Sequence, residues 1–112
     1  MNTIVLQKSC EIYSRLNRLI GGWPKRERYN LGLRLETSCL VLLEQIVSAE
    51  QTVPVLKDHH LLDAGVKTEV IKILLRMSVE RQLIKETNYF SISSNLVEIG
   101  KMIGGWRKSL RK

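Results

Sequence analysis

The chain has 112 residues, with 18 lysines and arginines against 11 aspartates and glutamates, and a formal net charge of +7. With 44% hydrophobic residues it is a folded basic protein rather than a disordered basic tail, and its length suits one domain with a modest core. No apolar run reaches the roughly 18 residues that span a bilayer, and MNTIVLQKSCEIYSR lacks the basic start, apolar stretch and cleavage site of a secretory signal. The expected setting is therefore cytoplasmic, away from membranes, with Cys10 and Cys39 as reduced structural thiols.

Apolar residues recur at helical spacing throughout. A first helix is predicted over about residues 3–21, with Val5, Ile12, Leu16 and Leu19 on one stripe and Lys8, Arg15 and Arg18 on another side. Pro24 ends it and launches a second helix over about 25–50. The apolar positions of that second helix, from Tyr29 and Leu33 to Ile46 and Val47, cover more than one narrow stripe. A third helix is predicted from about 55 to 84, weakened by Gly65 but not ended there.

The fourth, over about 87–110, has the cleanest pattern. Tyr89, Ile92, Leu96, Ile99, Ile103, Trp106 and Leu110 alternate in steps of three and four without losing phase at Gly104 and Gly105. A helix is therefore expected through those glycines, the competing reading being a glycine stop at Gly104. The fold class is all-α, an up-down-up-down four-helix bundle in a single domain. Surplus apolar coverage on helices two and three points to an oligomer interface or a broad core.

Ile-Gly-Gly-Trp occurs at residues 20–23 and again at 103–106. Beyond the few residues before each copy there is no similarity, so this is not a domain repeat. Pro24 follows the first copy and makes a turn; Arg107 follows the second and the heptad carries on.

Charge is uneven. Residues 1–35 hold seven basic and two acidic side chains, whereas residues 36–63 hold one basic and five acidic. In an up-down-up-down bundle, Arg18, Lys25, Arg26, Arg28, Arg76, Arg81 and Lys85 share one end with Glu27, Glu80 and Glu86. The tail residues Arg107, Lys108, Arg111 and Lys112 fall at the other end, near Glu44, Glu50, Asp58 and Asp63. The first end keeps the stronger positive field and is the expected anion-binding end. Lys25, Arg26 and Arg28 also sit in a first helical turn, where the helix dipole disfavours cations, so a phosphate partner gives them a reason that the tail does not need.

No catalytic constellation is present, and the chain is not expected to be an enzyme. His59 and His60 could share a helix face with Asp63, but a third metal ligand is missing. Glu36 and Glu44 lack the Glu-x-x-His partners of di-iron bundles. No phosphate loop or hydrolase elbow occurs, and no cofactor or metal is expected. Most aromatic residues fall at or beside core positions; Trp23, at the basic end, is the exception that could stack on a base.

The segments WPKRERYNLGLRLETSCLVLLEQIVSA, IKILLRMSVERQLI and above all NLVEIGKMIGGWRKSL carry a family resemblance. In order and spacing, over nearly the whole chain, they resemble the accessory variability determinant (Avd) proteins of diversity-generating retroelements. That resemblance implies a four-helix protomer in a barrel-like homopentamer. It also implies a non-catalytic scaffold that binds the element's reverse transcriptase and its template RNA or cDNA during mutagenic reverse transcription.

By motif position, Lys72 and Arg76 match paired basic residues implicated in polymerase contact, with Lys72 standing where arginine is usual. Lys25 and Arg28 match basic positions after the proline. The alternative is a stand-alone RNA-binding bundle of the type encoded in ribosomal RNA intervening sequences. Such proteins share the segment from Pro24 to Gly32 but continue with Asn-Ile-Ala-Glu-Gly where this chain has EQIVSAE.

Overall fold

The computed structural model describes residues 3–111; Lys112 of the basic tail lies outside them. Four helices make up the fold: α1, Thr3–Gly21; α2, a continuous run over 25–51; α3, Pro54–Glu80; and α4, Glu86–Ser109. The described residues contain no strand. The connections, 22–24, 52–53 and 81–85, are so short that each helix must run back along its predecessor.

Side-chain contacts record the antiparallel register. Lys8 of α1 pairs with Glu98 of α4 at 3.6 Å, and two turns later Arg15 donates to the Ser91 hydroxyl at 3.0 Å. Lys57, near the start of α3, donates to the Ala49 carbonyl at 2.7 Å and to that of Glu50 at 3.3 Å, satisfying acceptors that the end of α2 would otherwise leave open. The resulting bundle measures 47 × 23 × 19 Å.

Each helix feeds one stripe to the core. Leu35, Cys39, Leu42, Ile46 and Ala49 of α2 face Leu61, Ala64, Ile71 and Leu75 of α3, and this is the most extensive seam. Helix α4 contributes Ile92, Leu96, Ile99 and Ile103; α1 contributes Val5, Ile12, Leu16 and Ile20. Ile20, not the expected Leu19, completes the stripe of α1. Of the hydroxyls buried in these stripes, three are satisfied within their own helices. Ser9, Thr68 and Ser78 donate to carbonyls four residues earlier, at 2.8, 2.9 and 2.9 Å.

Helix α2 has an irregularity that periodicity did not reveal. Between the α-helical pieces Lys25–Glu27 and Leu33–Gln51, residues Arg28–Gly32 form a π-helical turn. The Pro24 carbonyl accepts the backbone N–H groups of Glu27 and Arg28 at 2.9 and 3.0 Å, which starts the helix. The Asn30 side chain then donates to the Arg26 carbonyl at 3.0 Å, an acceptor that its own backbone N–H would take in a regular α-helix. The wide turn brings Gly32 against the end of α1. A Cβ there would lie 2.7 Å from Ile20 Cγ2, 3.3 Å from the Glu27 carbonyl and 3.5 Å from the Trp23 ring.

Helix α3 was expected to continue to about residue 84, but it stops at Glu80. Gln82 adopts the left-handed conformation, with φ of 60°. Its N–H reaches the Val79 carbonyl at 2.8 Å, and the N–H of Leu83 reaches the Ser78 carbonyl at 2.9 Å. This is a Schellman stop built without the glycine that usually signals one. It turns Ile84 into the core. Helix α4, by contrast, passes straight through Gly104 and Gly105, and a Cβ at either would meet nothing within 4 Å.

Two stability tests follow from the packing. Gly32→Ala overpacks the contact with Ile20 and should cost about 1–3 kcal/mol in a urea unfolding titration, seen as a lower midpoint at unchanged slope. Burial, helped by the nearby Glu36 carboxylate, pushes the Cys39 thiol up to about 12 from an ordinary 9.0. Folding therefore favours the protonated thiol. This group leaves stability unchanged below about pH 9 and lowers it as pH rises toward 12. A Cys39→Ala variant should lack that part of the alkaline decline.

Candidate nucleic-acid interface

The end of the bundle where α1 meets α2 and α3 meets α4 carries the unbalanced charge. Arg81 of the α3–α4 connection pairs with Glu27 of α2 at 3.2 Å, which ties the two connections together and neutralises one cation. Arg18, Lys25, Arg26 and Arg76 are exposed, and within the described residues no carboxylate pairs with them. Arg34, which helical position alone did not bring to this end, is exposed and unpaired too.

Arg28 differs from its neighbours. It is half-buried, its Nε has no hydrogen-bond partner, and its guanidinium carbon lies 6.0 Å from the centre of the Tyr29 ring. Its charge therefore works partly on the ring of its neighbour. Trp23 is corrected outright as a stacking platform, since it is only 6% exposed and packs beside Gly32. The exposed aromatic on α2 at this end is Tyr29, at 64%.

Tyr29 stands in a groove between α2 and α3 of about 490 Å³, lined by Arg26, Leu33, Arg34, Met77 and Arg81 among others. The spacing of Tyr29 and Leu33 had assigned both to apolar stripes, and nothing in that pattern shows that the π turn and the neighbouring helix leave them open. Lys72 is not part of this groove. It is half-buried and pairs with Glu69 on its own helix at 2.8 Å. Lys72 and Arg76 are four apart on α3, so they share a helix face, but only Arg76 is free of a local partner.

At the opposite end the tail is compensated in part. Arg107 grips Asp58 through two hydrogen bonds, Nε to Oδ1 at 2.8 Å and Nη2 to Oδ2 at 3.2 Å. That side-chain bond holds the Asp58 carboxyl below its ordinary value, aided by the charges of Arg107 and Arg111. Lys108 and Arg111 remain exposed. The nearby histidines do not converge: His60 Nδ1 meets Gln45 Oε1 at 2.8 Å, while His59 faces Asp63 at 3.6 Å. Among the described residues no group of three or more His, Cys, Asp or Glu side chains is placed to hold a metal ion. Glu36 accepts from Asn17 at 2.7 Å and Glu44 is exposed, so neither points into the core as a bundle metal ligand would.

A third surface feature runs along the outside. On α3, Val55, Leu62, Val66, Ile73 and Met77 are exposed on the side opposite its core stripe. On α2, Leu33, Leu40 and Val47, each seven residues from the next, do the same. The surplus apolar coverage read from the sequence is thus outward-facing rather than a broader core. Among the described residues no helix is long and apolar enough to cross a membrane.

These features define a class: an antiparallel four-helix bundle with one uncompensated basic end and apolar outer faces. The chain belongs to the bAvd-like family, whose family model matches residues 3–110. Among solved structures it is similar to a protein of unknown function from the S23 ribosomal protein family of Bacteroides thetaiotaomicron. The two share 20% identity, with a TM-score of 0.86 over 96% of this chain and 97% of that one, a likeness of fold. No curated protein gives a significant match.

The asymmetry between the ends is directly testable. Lys25→Glu with Arg26→Glu should lower affinity for single-stranded RNA at least tenfold at low salt and flatten its salt dependence by about 0.7 per lost phosphate contact. Lys108→Glu with Arg111→Glu should do less. Fluorescence anisotropy across a salt series compares the two.

Proposed function

We propose that this protein is a non-catalytic accessory scaffold of a diversity-generating retroelement. In this reading it binds the element's reverse transcriptase together with its template RNA or cDNA, and holds polymerase and template in register during mutagenic copying. The observation that carries the reading is the unpaired basic end, Arg18, Lys25, Arg26, Arg34 and Arg76, in a chain of the bAvd-like family. A phosphate backbone offers the dense negative charge that such a cluster lacks within its own fold.

The scaffold acts as a homo-oligomer, a pentameric barrel by family resemblance. The outer apolar side chains Val55, Leu62, Val66 and Ile73 of α3, with Leu40 and Val47 of α2, support assembly, because an isolated domain gains nothing by wetting six large aliphatic side chains on two helices. Polymerase and nucleic acid then divide the remaining basic surface. Arg76 and Lys72 of α3 face the polymerase, and the α1–α2 end faces nucleic acid.

Co-purification with the reverse transcriptase that this reading places beside the gene tests it. A stable complex that also retains RNA is expected, and a chain that binds neither would end the proposal. Val66→Glu with Ile73→Glu should convert the oligomer to a folded monomer, measured by multi-angle light scattering with unchanged helicity by circular dichroism. If that monomer also loses the polymerase, assembly is needed for binding.

A further inference from the structure

The groove between α2 and α3 at the basic end is more than a charged patch, and its composition selects among nucleic-acid forms. Its floor and walls include Leu33 and Met77, exposed apolar side chains that a phosphate backbone cannot use. Tyr29 stands at the groove with most of its surface open, its ring backed by the Arg28 guanidinium. Arg26 and Arg34 line the same groove unpaired, while Glu27 already neutralises Arg81. An aromatic face beside an apolar floor, between two free guanidinium groups, matches the chemistry of one nucleotide: a flat base between two phosphates.

A volume of about 490 Å³ lies within the roughly 300–1,000 Å³ range of clefts that take small ligands. A base in duplex is stacked on its neighbours and cannot enter. A single strand has no such constraint.

We propose that this groove takes one unstacked base of a single-stranded RNA on the face of Tyr29, with the flanking phosphates on Arg26 and Arg34. The proposal rests on the nucleic-acid role given above and names the binding mode at the same end. It accounts for the π turn of α2, which gives the segment carrying Arg26 and Tyr29 a different phase from the rest of the helix. It also predicts tolerance of base identity. Asn30 lines the groove as well, with one amide N–H held by the Arg26 carbonyl, and stacking on Tyr29 is indifferent to base identity. The sequence-independent partners, stacking and charge, do the binding.

The test measures, by fluorescence anisotropy on the full chain, the affinity for a labelled oligouridine and for a strand of the same length with abasic sites. The wild type should prefer the base-bearing strand by about five- to a hundredfold. Tyr29→Ala should abolish that preference with the salt slope intact, Tyr29→Phe should keep it, and Phe90→Ala, an exposed aromatic at the same end but outside the groove, should leave it unchanged. Arg26→Gln with Arg34→Gln should reduce the salt slope by about 0.7 per arginine while the preference for bases persists. Equal binding of the two strands by the wild type, or a preference that survives Tyr29→Ala, overturns the stacking site and leaves the phosphate-binding role standing. No binding of either strand overturns both.

Discussion

Everything at the basic end depends on how closely α2 approaches the end of α1 at Gly32. The chain leaves α1 at Gly21, turns within residues 22–24, and must immediately pack a new helix against Ile20 and Trp23. A side chain at position 32 would collide with Ile20, so only glycine allows the contact. The π turn that ends on it absorbs the mismatch between a helix that begins at Lys25 and a core stripe that begins at Leu31. With Trp23 buried and Gly32 seated, the polar residues of the same turn have nowhere to go but outward. Arg26, Tyr29 and Asn30 are displayed because their neighbours are locked in.

The two ends of the bundle use basic residues in opposite ways. At the α4 terminus Arg107 is held by Asp58, and cations there also sit where a helix C-terminus favours them. At the α2 start Lys25 and Arg26 sit where the helix dipole opposes them, and Glu27 of the same turn is paired with Arg81 rather than with either of them. A locally unfavourable, uncompensated charge is the costlier arrangement. That cost is the physical ground for reading this end as the one built for an external anion.

The outer faces have the same logic in apolar terms. Gly104 and Gly105 lie at exposed positions of α4 where a Cβ would meet nothing, although each glycine costs the helix about 1 kcal/mol relative to alanine. Val55, Leu62, Val66, Ile73 and Met77 lie outward and exposed on α3. Both features are expensive for a solitary bundle and fit a molecule whose working surface is its exterior.

The sequence by itself determined the four helices, their order, the antiparallel packing and the heptad that carries α4 through its glycines, because each follows from local spacing and short connections. It also marked Lys25, Arg26 and the partly compensated tail, since charge along a helix is readable from position. Tertiary structure alone decided the rest. Trp23 looked open and is buried, because its exposure depends on Gly32 of another helix. Tyr29 and Leu33 looked like core and line a groove, because which of the apolar faces of α2 is covered depends on where the other helices pack. Helix α3 stops at Glu80 with Gln82 in a conformation that usually advertises itself through glycine. Arg34 joins the basic end, and Lys72 is lost to Glu69, because free charge depends on which carboxylate folding brings within reach.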